Sequence, residues 1–319
     1  MVAVFEAVLV AGSGLTAARA IRSLSRMRVK SVAVHITADG GALHARAADD
    51  SLLLGSDPSA YRDVAALVEA AHVGGVDAVY PCDDLAEDQA AAAGVAGAGL
   101  AWVGASAAAL AAAGRIAGPP TGVVVAIAVL ADRRIVTLGA IRRDAEETRL
   151  VMDLPPGQDR AARAAVEHID LTGACWVVVE GGSSGAGTDD VPFVHAIGAR
   201  LPADHAVLEL ATGIDIVETQ LRIAAGERAA FDADEPPARR AAAGLPIRAD
   251  GTIAVWPRWE KEPGNDDAVR IDAALRVGRP VTAPAGTVIG YAAAAADSAD
   301  AAVERAREAV AQLRRRSTS

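Results

Sequence analysis

The sequence predicts an α/β protein whose N-terminal part is a parallel, Rossmann-like sheet and whose remainder contains antiparallel strands. Two observations support this prediction. Up to about residue 115, short apolar runs alternate with helical patterns, which is typical of crossover connections and therefore of parallel strands. After residue 115, apolar runs follow one another across polar turns, which indicates antiparallel pairing.

The first crossover unit occupies residues 7–35. A buried strand is predicted at Ala7–Ala11 and a second strand at Ser31–His35. The apolar face of the helix between them consists of Leu15, Ala18, Ile21 and Leu24. These three elements form a βαβ unit.

A second helix follows the same pattern. Asp57 is its predicted N-cap, Pro58 occupies its first position, and Gly74-Gly75 ends it before a strand at Val76–Tyr80. The elements predicted after residue 115 are strands at 123–130 and 134–138, a helix at 159–169, a hairpin of 175–179 with 191–194, and a C-terminal helix at 298–316.

Composition excludes several classes of protein. The chain has 319 residues, 52% of them hydrophobic, which is enough for sizeable cores. Its net charge of -10 argues against nucleic acid or an anionic membrane as a partner. Two cysteines, Cys82 and Cys175, cannot form a disulfide framework, and the apolar N-terminus has no basic leader, so we expect a cytoplasmic location. The uncharged stretch Ala90–Gly114 is mostly Ala and Gly, so we predict no membrane span.

Three segments carry a resemblance to a known family. TGIDIVETQLRIAAGE at 212–227 closely resembles the helical stretch after the catalytic motif of biotin carboxylases, the ATP-grasp component of acyl-CoA and pyruvate carboxylases. ALHARAADDSLLLG at 42–55 and LAED at 85–88 resemble their N-terminal domain. The resemblance implies a pre-ATP-grasp N-terminal domain at 1–115, a lidless ATP-grasp remainder at 116–245 and a biotin-carboxylase-like C-terminal subdomain at 246–319.

The resemblance also indicates what is missing. ATP-grasp enzymes carry a glycine-rich lid domain before the strand that corresponds to 123–130, yet only seven residues separate Arg115 from Val123. Without a lid, the chain lacks an element that would clamp phosphates and exclude water.

The residues that would bind ATP and magnesium are also replaced. Lys30 and Lys261 are the chain's two lysines, and the family's phosphate-binding lysine corresponds to Arg115 or Ile116. By similarity, the positions of the two metal carboxylates hold Val177 and either His195 or a neighbour of it. Magnesium prefers oxygen ligands, so we predict that the chain has no metal site. We expect ATP and Mg²⁺ to bind only under the alternative in which the chain is an enzyme.

Several polar positions of the family persist. Arg200, Asp204, His205 and Glu209 in ARLPADHAVLE align with the catalytic arginine, the general base, the histidine after it and a later glutamate. Arg270 in VRID aligns with the arginine of the bicarbonate pocket. In one interpretation Asp204 acts as a base while Arg200 and Arg270 hold anions. In the other, these residues are a relic ion-pair cluster, with Asp204 as the N-cap of the helix after Pro202.

Two loops have weaker interpretations. Gly12 and Gly14 in AGSGLTA match the family's first turn and, with Glu209, are the candidates for cofactor binding; a dinucleotide fingerprint would need a third glycine where Ala17 stands. Asp83-Asp84 is expected to be a solvated turn or helix cap. GGSSGAG at 181–187 leads into a strand, so we interpret it as a surface loop.

The sequence therefore predicts a catalytically inactive biotin carboxylase homologue that serves as a structural or regulatory subunit of an acyl-CoA carboxylase complex. Expected partners are carboxyltransferase or an active biotin carboxylase, or a second copy in a dimer, with Trp256 and Trp259 as interface anchors. One alternative is ATP-dependent carboxylation or ligation with a lid supplied by a partner. The other is a sensor of a small anion or nucleotide.

Overall fold

The computed structural model describes residues 4–113, 122–144, 146–169, 171–181, 191–232, 240–249, 254–255, 268–273, 280–281 and 285–317. Elements of the N-terminal part are β1 (Ala7–Ala11), α1 (Gly14–Met27), β2 (Lys30–Ile36), α2 (Leu43–Ala47), β3 (Asp50–Gly55), α3 (Val64–Gly74), β4 (Ala78–Pro81), α4 (Gln89–Gly97), β5 (Ala101–Trp102) and α5 (Ala107–Ala113). The five strands form one parallel sheet in the order β3-β2-β1-β4-β5, which confirms the predicted architecture.

The remaining elements are β6 (Gly122–Val129), β7 (Ile135–Arg143), β8 (Thr148–Leu150), α6 (Pro156–Glu167), β9 (Gly173–Glu180), β10 (Phe193–Gly198), α7 (His205–Thr212), α8 (Ile216–Ala224), β11 (Ala241–Arg248), β12 (Ala254–Val255), β13 (Val269–Ala273), β14 (Pro280–Val281), β15 (Val288–Ala296) and α9 (Ala299–Ser317). Eight of these strands form an antiparallel sheet in the order β10-β9-β6-β7-β8-β11-β15-β13. The predicted antiparallel second half is therefore confirmed.

The predicted single helix after Asp57 is wrong in detail. Asp57 does accept a hydrogen bond from the backbone N–H of Ser59, but the turn that it caps is a 3₁₀ helix, Pro58–Arg62. Asp63 then starts α3 with its own cap, accepting from the backbone N–H groups of Ala65 and Ala66. A capping residue has extended backbone angles, so Asp63 interrupts the helix that was predicted to continue from Asp57. Each of the two aspartates therefore begins a separate helical segment.

One core joins the two sheets. Val8, Val10 and Tyr80 of the parallel sheet belong to the same buried cluster as Val124 of β6 and Leu221 of α8. Helices α7 and α8 supply much of the intervening apolar surface, so the charged side chains on these helices are placed where the two sheets meet.

One expected domain boundary and one expected set of elements can be placed on the fold. The boundary between 245 and 246 lies inside β11, which pairs with β8 on one side and β15 on the other, so the second and third predicted units share one sheet. The uncharged stretch 90–114 divides into α4, β5 and α5. Among the described residues, no helix combines the length and the apolarity needed to cross a bilayer.

Candidate functional site

A stripe of polar side chains on α1 faces the second half of the molecule. Arg19, Arg22, Ser23 and Arg26 are spaced i, i+3, i+4 and i+7, which places them on one side of the helix. Arg19 is fully buried. A buried guanidinium requires carboxylate partners, and α7, α8 and β13 provide them.

Glu209 of α7 is the centre of this cluster. Its Oε1 accepts from the backbone N–H of Ile216 at 2.8 Å. Its Oε2 accepts from Nη2 of Arg19 at 2.6 Å, from Nε of the same arginine at 3.2 Å, and from Nη1 of Arg270. The carboxylate is thus satisfied by two arginines and the first turn of α8, and it ties four elements together.

Asp215 has a double role. As the N-cap of α8 it accepts from the backbone N–H of Glu218 at 3.1 Å. The same carboxylate accepts from the hydroxyl of Ser23 at 2.7 Å and from Arg26 at 2.5 Å, and it lies 3.1 Å from Nη2 of Arg19. The cap of one helix is therefore also the contact to α1.

Burial and charge act in opposite directions on these carboxyl groups. Burial by itself would raise the pKa of Glu209, but the charges of Arg19 and Arg270, with the hydrogen bond from Arg19, lower this pKa to about 2. Burial opposes ionisation of Asp272 as well, yet Arg22 above all lowers its pKa. Both carboxyl groups are ionised at neutral pH.

Two buried acceptors in the cluster have no donor among the described residues. The Nδ1 of His205 lies 2.7 Å from the carbonyl oxygen of Pro202, so Nδ1 carries the proton and Nε2 is an acceptor. That Nε2 has no hydrogen-bond partner and lies 3.9 Å from Oε2 of Glu209. Asp272 uses Oδ1 for Arg22 at 2.6 Å, while its Oδ2 has no partner. Burial lowers the pKa of His205, so the ring is neutral.

Asp204 lies at the predicted N-cap position of α7, but its side chain makes no cap hydrogen bond. The expectation of a capping carboxylate is therefore wrong. Its oxygens accept instead from Nε and Nη2 of Arg143 at 2.5 and 2.8 Å and from the hydroxyl of Thr148 at 3.1 Å. An arginine fork satisfies a buried carboxylate better than one backbone N–H does, so the side chain turns toward β7 and β8.

Arg200 lies at the surface. Its Nη1 donates to Oδ1 of Asp84 at 3.0 Å, and Arg62 donates to the other oxygen of Asp84 at 2.9 Å. Asp83 precedes Asp84 in a 3₁₀ turn, Asp83–Glu87, and accepts a hydrogen bond from the hydroxyl of Thr16 at 2.7 Å. The predicted turn at Asp83-Asp84 is confirmed, and it supplies the partner of Arg200.

The structure thus brings Arg270 and Glu209 into direct contact but pairs Arg200 and Asp204 elsewhere. The sequence analysis missed Arg19, Asp215 and Arg143. For Arg19 a signal exists, namely the polar i, i+3, i+4, i+7 stripe on a helix that is otherwise rich in small apolar residues.

Gly12 and Gly14 shape the turn between β1 and α1. Both have positive φ angles, 148° and 72°. A Cβ added to Gly12 would lie 2.5 Å from Cβ of Cys82, so the side chain that directly follows β4 fills the space beside this glycine. Close packing of the turn on Cys82 accounts for a glycine at position 12.

Val177 and His195 occupy the positions that the resemblance assigns to metal carboxylates, or lie beside them. Val177 is fully buried in β9, and His195 is exposed on β10. The described part of the chain contains no group of three His, Cys, Asp or Glu side chains that could hold a metal ion. Outside the described residues lie Arg115, Ile116, residues 182–187 of the glycine-rich loop, Trp256, Trp259 and Lys261.

Comparisons with known proteins agree with this fold and these motifs. Residues 4–110 match the family model for the biotin carboxylase N-terminal domain, and residues 158–230 match that for the carbamoyl-phosphate synthase L chain ATP-binding domain. The methylcrotonoyl-CoA carboxylase subunit alpha of Oryza sativa is 44% identical over 78 residues, 24% of this chain and 11% of that one. The biotin-dependent acyl-coenzyme A carboxylase alpha3 subunit of Mycobacterium leprae is 41% identical over 102 residues, 31% of this chain and 17% of that one.

Solved structures extend the likeness of fold to nearly the whole chain. A biotin carboxylase from Campylobacter jejuni has a TM-score of 0.79 at 16% identity, with 94% of this chain and 90% of that one covered. The biotin carboxylase domain of a thermophilic 2-oxoglutarate carboxylase has a TM-score of 0.80 at 19% identity, covering 96% and 89%. The chain is therefore a biotin-carboxylase-like homologue of carboxylase subunits.

Proposed function

We propose that this chain is a catalytically inactive biotin carboxylase homologue that acts as a structural or regulatory subunit of an acyl-CoA carboxylase complex. The observation that carries the proposal is the connection between α5 and β6. Helix α5 ends at Ala113 and β6 begins at Gly122, so residues 114–121 leave eight positions where ATP-grasp enzymes carry a lid domain. Eight residues are too few for a domain of any kind.

The contacts of Asp204 and Arg270 support the same conclusion. A general base must reach its substrate, yet the oxygens of Asp204 are held by the guanidinium of Arg143 and the hydroxyl of Thr148. Arg270 is paired with Glu209 and its side chain is 12% exposed. An incoming anion would have to break this buried ion pair.

The described residues also do not fit magnesium-bound ATP. A divalent cation beside phosphates needs carboxylate or other oxygen ligands, and Val177 supplies none. Among the described residues, no group of three His, Cys, Asp or Glu side chains could hold the cation instead. Phosphoryl transfer is therefore not part of the proposed role.

The proposed partners follow from the names of the relatives. Those from rice and M. leprae are named as alpha subunits of carboxylases, so each belongs to an assembly. The matched stretches span 11% and 17% of these relatives. A carboxyltransferase subunit or an active biotin carboxylase is the partner that we propose, with self-association as the simpler form of the same role.

Catalysis is tested with the purified full chain. We expect no bicarbonate-dependent ATP hydrolysis above the no-protein background, and no heat of Mg-ATP binding in calorimetry, with an active biotin carboxylase assayed in parallel. Bicarbonate-dependent turnover that disappears in Asp204→Asn would overturn the proposal and favour the enzyme interpretation. Saturable nucleotide binding without turnover would overturn it in favour of a sensor.

Membership of a complex is tested by native co-purification of the tagged chain from its own organism, followed by gel filtration and mass spectrometry. Recovery of a carboxyltransferase or a biotin carboxylase in stoichiometric amount is the expected result. Elution of the chain alone as a monomer would contradict the subunit role.

A further inference from the structure

Two arginines from different halves of the molecule contact one carboxyl group. Arg62 is the last residue of the 3₁₀ helix before α3, and Arg200 follows β10. Nη2 of Arg62 donates to Oδ2 of Asp84 at 2.9 Å, and Nη1 of Arg200 donates to Oδ1 of Asp84 at 3.0 Å. Each guanidinium therefore binds its own oxygen of the same carboxylate, and the contact crosses the junction between the parallel and the antiparallel sheet.

This contact contains more positive than negative charge. Two guanidiniums face the single carboxylate of Asp84. The neighbouring Asp83 does not change this balance, because its carboxylate accepts from the hydroxyl of Thr16 at 2.7 Å and makes no ion pair with a described residue. The group as a whole therefore attracts anions.

Solvent reaches all three side chains. Arg62 and Asp84 are exposed, and Arg200 is partly exposed. Ion pairs with this exposure are weak, because water already stabilises each charge. A dissolved anion can therefore compete with Asp84 for the two arginines.

The geometry around Asp84 is that of a bound oxyanion. A carboxylate or a phosphate group presents two oxygens on one central atom, and guanidinium N–H groups donate to both of them. Asp84 presents its two oxygens to Arg62 and Arg200 in this way. The carboxylate of Asp84 thus occupies the position between the two guanidiniums that a small oxyanion would take.

We propose that Arg62 and Arg200 form a site for a small oxyanion and that Asp84 is its intramolecular inhibitor. While Asp84 is bound, both guanidiniums are occupied and the two halves are joined at the surface. Removal of its carboxylate opens the site to a carboxylate or phosphate group from outside. The inference does not rest on the proposed function, since neither catalysis nor a partner subunit enters it.

The test compares phosphate binding by the full wild-type chain and by Asp84→Ala. The probe is inorganic phosphate at constant ionic strength balanced with chloride, and the measurement is broadening of the ³¹P resonance as protein is added. We expect the variant to bind phosphate roughly tenfold more tightly than the wild type, because two exposed ion pairs no longer compete. Asp84→Asn, which keeps the size of the side chain but not its charge, should also gain affinity.

Matched variants separate the site from the change in net charge. Glu69 is exposed on α3 and makes no ion pair with a described residue, so Glu69→Ala changes the charge equally without freeing an arginine. This variant should bind phosphate as the wild type does. Adding Arg62→Ala or Arg200→Ala to Asp84→Ala should remove the gain, because each leaves a single exposed guanidinium for the anion.

Three results would overturn the proposal. Equal affinity in the wild type and in both Asp84 variants would show that Asp84 blocks no site. An equal gain in Glu69→Ala would assign the effect to net charge. A gain that survives the loss of either arginine would place the anion elsewhere.

Discussion

Two clusters of ion pairs connect the N-terminal domain to the rest of the molecule, and they differ in exposure. The interior cluster joins Arg19 to Glu209, whose side chains are 0% and 3% exposed. The rim cluster joins Arg62 and Arg200 to Asp84, whose side chains are 59%, 35% and 49% exposed. The same residue types make both clusters, so residue identity alone does not reveal what an ion pair does.

The difference is one of solvation. An exposed pair gains about 0–1 kcal/mol, because water already stabilises each charge. Removing one partner of a buried pair costs about 3–5 kcal/mol, because the other charge stays buried without compensation. The interior cluster is therefore expected to hold the two halves together, while the rim cluster contributes little to stability.

The largest expected effect is that of Glu209→Ala. This substitution leaves Arg19 and Arg270 without their shared carboxylate. We expect the free energy of unfolding, measured in urea, to fall by about 3–5 kcal/mol. Glu218→Ala, which removes the 26%-exposed partner of Arg222 on α8, is the matched control and should cost less than about 1 kcal/mol. Equal losses in the two variants would contradict the dependence of ion-pair energy on burial.

Acid should act on the interior cluster next. The pKa of Glu209 is lowered from 4.5 to about 2, so its contribution is fully present above pH 4.5 and is lost as the pH falls toward 2. Complete protonation should remove roughly 3 kcal/mol. Asp272 and His205, whose pKa values are also lowered, act in the same direction.

Urea midpoints measured between pH 7 and pH 2 test this pH dependence. In Glu209→Gln, which has no carboxyl group to titrate at this position, stability should fall less steeply at acid pH. An acid limb as steep in that variant as in the wild type would assign the loss to other groups.

Asp204→Asn is expected to have an intermediate effect. It removes the charge that Arg143 contacts through two hydrogen bonds, which should cost about 2–3 kcal/mol. A double-mutant cycle with Arg143→Met measures the coupling. Strictly additive losses would mean that the pair is not a unit, and would leave Asp204 available as a base.

Arg200→Ala should have the smallest effect, within about 0.5 kcal/mol, because its partner Asp84 is half exposed and keeps Arg62. Thermal unfolding of the variant beside the wild type is sufficient as a test. A large loss of stability would mean that Arg200 behaves like the buried residues of the interior cluster, which would contradict its 35% exposure.

The fold was largely predictable because its signals are local. The periodicity of α1 and the alternation of β6 and β7 each lie within a few consecutive residues, and both were predicted and confirmed. The helix after Asp57 was predicted wrongly, because Asp63 is a second cap that competes with continuation of the first turn. For the candidate site, the sequence indicated which positions carry charged residues but not which of these residues contact one another.

The sequence by itself determined the α/β class, the family resemblance and the short connection, seven residues between Arg115 and Val123, that leaves no room for a lid. Tertiary structure decided which charge pairs with which. Glu209 and its partner Arg19 are 190 residues apart, and Asp204 and Arg143 are 61 apart. Helix periods and turns are encoded by neighbours in the chain, whereas the pairing and the solvation of a charge depend on which distant elements the packed core brings beside it.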